Sequence, residues 1–145
     1  ALQQAEVMLA LGEWPQAAAA LAPWQAEVPK WRRPQQLQWH RLQARLALAQ
    51  GQAADAVTHF AQAQALATRV WPDRHPARAR LAVEMADAEA RAGLKADAAR
   101  RLAAAEPVLA TLPANGPTPR AARALRQRLG TAAALANPNR ANPES

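Results

Sequence analysis

The sequence predicts an all-α fold built from antiparallel helix pairs stacked in series, and three observations predict it. First, the stretch AQGQAADAVTHFAQAQALATRVWPDRHP, from Ala49 to Pro76, is followed 42 residues later by a degraded copy that opens RAGLKADAARRLAAAEPVLATL at Arg91. Gly51 returns as Gly93, Ala56 as Ala98, Phe60 as Leu102 and Ala63 as Ala105. Second, each copy holds a helical run that stops at Gly, the residue that tolerates the left-handed conformation closing a helix, and a new run starts within about three residues. Third, the chain has 42 alanines; alanine is the best helix former, and no alternating strand pattern competes. Repetition of this length marks units that bury their apolar faces only against their neighbours.

Taken in order, helices are predicted at 2–11, 15–27, 35–50, 53–70, 76–92, 95–112 and 118–135. The first two belong to an upstream copy, LALGEWPQAAAALAPW, in which Gly12, Ala17 and Leu21 stand for Gly51, Ala56 and Phe60 at an interval of 39 residues. Pro23, like Pro107 further on, lies inside a predicted helix and is expected to kink or end it at the preceding turn, because proline lacks the amide donor and clashes with the carbonyl before it. Between the second and third helices, Val28-Pro29-Lys30-Trp31-Arg32-Arg33-Pro34 is expected to run extended. In the helices that follow, Ala44, Ala56, Ala86 and Ala98 let backbones approach, while Leu46, Phe60, Leu66, Leu81, Met85, Leu94, Leu102 and Leu109 are expected to fill the space between pairs. The last helix sets Leu125 and Leu129 on one stripe and Arg120, Arg123 and Arg126 elsewhere, as suits a terminal cap with a polar outer face. Residues 136–145, ANPNRANPES, read as a disordered C-terminal tail.

Together, the small residue in the first helix, the turn Gly, the early Ala, the large apolar residue four later and the Ala three beyond it resemble the tetratricopeptide repeat. Ala44, Gly51, Ala56, Phe60 and Ala63 match in one unit, and Ala86, Gly93, Ala98, Leu102 and Ala105 in the next; Ala5, Gly12, Ala17 and Leu21 match in the first, where Trp24 takes the final small position. Against the usual spacing of about 34 residues, the longer second helix and the segment LATRVWPDRHP look like the kinesin-light-chain variety, whose second helix runs into an Asp-x-His-Pro turn. The resemblance implies a right-handed α-solenoid over residues 1–135, with repeats at 1–30, 35–74 and 76–115 and a capping helix at 118–135. It further implies a protein-interaction module that holds a peptide or partner protein in a concave groove. By the same resemblance the chain is expected to be the C-terminal regulatory or sensory part of a larger bacterial signalling protein, such as a Ser/Thr kinase or a transcriptional regulator. A beginning without Met, in mid-helical pattern, fits such an excised part.

Composition narrows the chemistry. The length of 145 residues suits one domain, and the charge of +7 comes from sixteen Arg and two Lys against eleven acids. Acidic partners are favoured; an Ala, Arg and Pro excess is also what a GC-rich genome produces. The arginines scatter over the helices from the third onward instead of forming one stripe, which speaks against nucleic acid. No apolar run reaches membrane-span length and no signal peptide is evident. Compartment stays open, with the cytoplasm preferred and the periplasm available if the parent protein has an upstream membrane segment. Lack of cysteine removes thiolate ligands and nucleophiles. His40, His59 and His75 share no metal-ligand spacing, Ser145 is the first serine, and no phosphate loop occurs, so no catalytic residue, metal or cofactor is expected. Glu84, Asp87 and Glu89 read as surface acids.

The candidate binding residues follow from the first helices lining the inner side of such an array. Inward spacing selects Gln38, Arg41, Arg45 and Leu48 on one helix and Arg80, Val83, Asp87 and Arg91 on another. Guanidinium groups converging on one groove pair bidentately with carboxylates, so an acidic or C-terminal peptide is the expected ligand. The Lys, Arg and Asn clamp by which some tetratricopeptide domains hold a C-terminal carboxylate is incomplete, for no Asn precedes Asn115. Trp14, Trp24 and Trp31 form a second candidate surface, for a partner or for self-association, because exposed Trp dominates interface energetics. The alternative is that they plug gaps around the linker.

Overall fold

The structure, a computed structural model, describes residues 2–136, and side chains as far as residue 130. Its helices are α1 (Leu2–Ala10), α2 (Trp14–Leu21), α3 (Arg33–Ala49), α4 (Ala53–Val70), α5 (Pro76–Arg91), α6 (Lys95–Leu109) and α7 (Pro117–Ala136). Two 3₁₀ turns, Ala22–Trp24 and Val28–Lys30, join α2 to α3. Among the described residues there is no strand.

One turn geometry occurs three times. Gly12, Gly51 and Gly93 all take positive φ, at 79°, 75° and 86°. In each case the Gly N–H donates to the carbonyl three residues back (Leu9, Leu48, Ala90), and the next N–H donates to the carbonyl five back (Met8, Ala47, Glu89) at 2.8 Å. These are the paired bonds of the Schellman motif, which satisfy carbonyls that a helix end leaves open. The residue after each Gly then starts the next helix: carbonyls of Glu13, Gln52 and Leu94 accept from the amides of Ala17, Ala56 and Ala98 at 3.0 Å. Helix end and helix start are thereby fused, and the chain reverses in three residues.

The α4–α5 turn uses different chemistry. Trp71 leaves the helix with extended dihedrals, and Arg74 takes a φ of 67°. His75 is the N-cap of α5: its Nδ1 accepts from the Ala77 amide at 3.1 Å while its ring stacks on Trp71 at 5.5 Å. Pro76 follows in the first helical turn, where a missing N–H costs nothing.

Three apolar clusters lie in series. α1, α2, the linker and α3 share Ala5, Leu21, Val28, Trp39 and Leu42. α3, α4 and α5 meet around the fully buried Phe60, with Leu37, Ala63, Leu81 and Met85. α5, α6 and α7 enclose Val83, Leu102, Leu109, Ala122 and Leu125. α3 and α5 each contribute to two clusters from different stripes, so each pair is covered by the next. The aligned alanines Ala17, Ala56 and Ala98 are fully buried, as are Ala5, Ala44 and Ala86 on the opposing helices; their small size permits the close approach.

Several expectations need correction. α2 ends at Leu21, not at 27, since Pro23 leaves only a 3₁₀ turn behind it. α6 runs through Pro107 to Leu109, because the proline falls in the last turn, where its fixed φ is still helical. The linker is not extended throughout: Val28 is buried in a 3₁₀ turn, and Gln36 Nε2 lies within 3.2 Å of the carbonyls of Val28, Pro29 and Trp31. Leu94, assigned to the core by spacing, is exposed on its turn. The predicted tail falls outside the described residues from 137 onward, and Ala136 closes α7.

Candidate functional site

α1 packs against α3, and α5 against α7. Side-chain bonds continue the row between α3 and α5: Arg41 Nε donates to both Glu84 oxygens, at 2.8 and 3.1 Å, and Arg41 Nη1 reaches Glu6 at 3.4 Å. Arg45 Nη1 stands 3.6 Å from the same Glu6 carboxylate. On α5, Arg80 lies 3.8 Å from Glu84 and Arg91 lies 3.2 Å from Asp87, each an i, i+4 pair. Arg128 of α7 closes the row by donating to Asp87 at 2.6 Å. A ladder of alternating charge thus crosses α1, α3, α5 and α7.

Burial grades the members of this ladder. Only 11% of the Arg41 side chain is exposed, whereas Arg80, Arg91 and Arg128 are about half exposed, at 48%, 51% and 56%. Partial burial and the neighbouring Arg41 charge lower the Arg80 pKa from its usual value, and Glu84 and Glu6 offset this only in part. Glu84, which stands 3.8 Å from Arg80, is engaged more closely by Arg41 at 2.8 Å, so Arg80 shares its counter-charge. Five arginines here face three carboxylates, and an added anion would relieve the excess.

Of the residues selected from sequence, Gln38, Arg41, Arg45, Arg80, Asp87 and Arg91 share this ladder, with Gln38 Nε2 donating to Glu6 at 3.4 Å. Val83 and Leu48 do not belong to it. Val83 is buried among α5, α6 and α7, and Leu48 packs on the Phe60 cluster. Each sits one step round its helix from the charged stripe, where the face meets the core. Glu6, Glu84 and Arg128 are the members that the sequence reading missed. A signal existed for one of them: Glu6, Arg45 and Asp87 each lie six residues before a turn glycine, so one repeat position carries alternating sign along the array.

The acids read as surface groups are not alike. Glu84 and Asp87 are partly buried ladder members, and Glu89 is 3% exposed, facing α6. Arg101 Nε donates to Glu89 at 2.6 Å, Arg101 Nη2 at 3.4 Å, and Arg101 Nη1 is held by Gln64 at 2.8 Å.

The tryptophans divide between surface and core. Trp14 and Trp24 are each 40% exposed. Trp31 is half-buried, 6.3 Å from Trp24 and edge-on to the buried Trp39 at 5.8 Å, so the three rings form a row from surface to core. His40 and His59 stack across α3 and α4 at 6.2 Å, and the Nδ1 atom of each is buried without a partner among the described residues. Among those residues no cluster of three potential ligands could hold a metal ion, and no helix is long and apolar enough to cross a membrane.

Comparison with known proteins adds no relative: no family model, no curated protein and no solved structure matches the chain.

Proposed function

We propose that the chain is a tetratricopeptide-type module, a right-handed solenoid of three helix pairs ended by α7, whose first-helix face binds an acidic segment of a partner protein. The reading is of a non-catalytic part of a larger bacterial signalling protein, one that positions or regulates a catalytic or DNA-binding half. One observation carries it: the charged ladder across α1, α3, α5 and α7, in which arginines outnumber carboxylates and the surplus lies on half-exposed side chains. Ion pairs this exposed contribute about 0–1 kcal/mol each. A partner carboxylate can therefore take a guanidinium from Glu84 or Asp87 at small cost and return a bidentate bond. The recurring glycine turn and the serial clusters support the repeat architecture.

The test is fluorescence anisotropy with a labelled peptide of alternating Asp and Leu, set against its Asn-for-Asp counterpart. Wild type should bind the acidic peptide saturably and the neutral one at least about tenfold more weakly, and an Arg80→Gln, Arg91→Gln, Arg128→Gln variant should lose a similar factor. Arg41 is left intact because it ties α3 to both α1 and α5. Equal affinity for both peptides, or an unaffected variant, would remove the proposal.

A second reading, self-association through the first helix pair, rests on a separate observation. Val7 (59%), in α1, and Leu11 (68%), in the turn that follows it, are exposed one turn apart, and Leu11 lies three positions before the exposed Trp14. Sedimentation across a concentration series decides it; a constant monomer mass ends it.

A further inference from the structure

On the side of α5 turned away from the ladder, α4, α5, α6 and the α4–α5 turn enclose a cavity of 340 Å³. The two sides follow from 3.6 residues per turn: Arg80, Glu84, Asp87 and Arg91 form one stripe of α5, and Arg78, Ala79 and Ala82 the opposite one. We propose that this cavity binds a small carboxylate carrying a short apolar body. The inference is independent of the ladder and of any partner protein bound there.

The floor is methyl-lined. Ala79 and Ala82 face Ala104, Ala105 and Val108 across the gap, so the space exists because small side chains occupy both walls. Its volume lies at the lower end of the roughly 300–1,000 Å³ typical of ligand pockets. An alkyl chain of a few carbons would bury its surface there.

The rim is cationic, and its cations differ in their commitments. Arg101 is held in place by Glu89 and Gln64, and the buried Glu89 neutralises it. Arg78 donates to Asp73 at 2.7 Å, but the Asp73 side chain is 95% exposed, so that pair is open to exchange. Arg74 has no ion-pair partner among the described residues, and it is the one non-glycine residue among them with positive φ. Non-glycine residues in that region cost about 1 kcal/mol or more and concentrate at functional turns. His75 adds a donor. Its Nδ1 accepts from Ala77, so the neutral ring carries its proton on Nε2. Three guanidinium groups thus meet two carboxylates, Asp73 and Glu89. One positive charge is left over at the mouth; a guanidinium fork takes carboxylate and phosphate alike, so the methyl-lined floor is what selects an anion with an apolar body.

Methyl NMR of the full chain, titrated with hexanoate, tests this. Saturable shifts are expected at Ala82, Ala104 and Val108, with hexanamide and inorganic phosphate each weaker by about tenfold or more. Arg74→Gln should weaken hexanoate by a similar factor, Ala82→Leu should abolish binding by filling the cavity, and Arg123→Gln, an exposed α7 residue outside both charged sites, should change nothing. If Ala82→Leu does not fold, Arg74→Gln alone decides. The proposal is overturned by the absence of saturation at about 20 mM hexanoate, by equal binding of hexanamide, or by an Arg74→Gln variant that binds as wild type does.

Discussion

Gly51 and Gly130 are the same residue type under opposite demands. At Gly51, φ is 75° and an added Cβ would meet nothing within 4 Å, so only the backbone conformation opposes a side chain. Gly130 is helical and its Cβ space is also empty. Gly51→Ala should therefore destabilise by about 1 kcal/mol or somewhat more, and Gly130→Ala should stabilise by up to about 1 kcal/mol. Denaturant midpoints check both signs. At His40, burial first and the neighbouring His59 second lower the pKa from its usual 6.5. The folded state then holds this proton less tightly than the unfolded state, so the associated stability is complete above pH 6.5 and is lost as pH falls toward the lowered folded value. Wild type should lose more stability between pH 7.5 and 5.5 than a His40→Gln variant loses, and equal losses would contradict the assignment. At this scale the turn glycines were legible in sequence, because the pattern of Gly after a helical run has one dominant cause. The stacked histidine pair was not: nineteen positions separate its members, and only packing of α3 on α4 brings them together.

For single elements, legibility follows the strength of the stop signal. α3, α4 and α5 fall within about two residues of their predicted ends, since glycine or an aromatic-proline turn bounds them. α2 and α6 were misplaced where proline had to be weighed against alanine-rich flanks, and the outcome depended on whether the proline fell in a last turn. α5 is the least transparent. Its three acids look alike in sequence, yet two join the ladder and Glu89 is buried, because burial depends on the stripe each occupies and on Arg101 twelve residues later. Removing one partner of a buried pair leaves an uncompensated charge and costs about 3–5 kcal/mol. With Arg101 partly exposed, Arg101→Ala should fall at the lower end, near 3 kcal/mol, and Arg91→Ala on the exposed stripe within about 1 kcal/mol. Thermal or chemical unfolding of the two variants distinguishes them; equal losses would mean that the Glu89 pair does not secure α5 to α6.

Across the whole molecule, helical class and serial pairing were readable from the repeat, whereas the distribution of charge was not. The sequence shows sixteen arginines, none before Arg32, scattered along the chain from there on. Folding sorts them: Arg41, Arg45, Arg80, Arg91 and Arg128 gather on one face with Glu6, Glu84 and Asp87, while Arg74, Arg78 and Arg101 gather behind α5. Contacts between side chains some 35 to 43 positions apart create that first face, and single-helix spacing cannot supply them. The account's central claim is that this face, with its surplus of exposed guanidinium, is where a partner lies. Backbone-amide NMR of the chain titrated with the Asp-Leu peptide tests it most directly. The account predicts shifts confined to α1, α3, α5 and α7 and centred on Arg45, Arg80 and Arg91; shifts centred on α2, α4 or α6, or scattered over the surface, would contradict it.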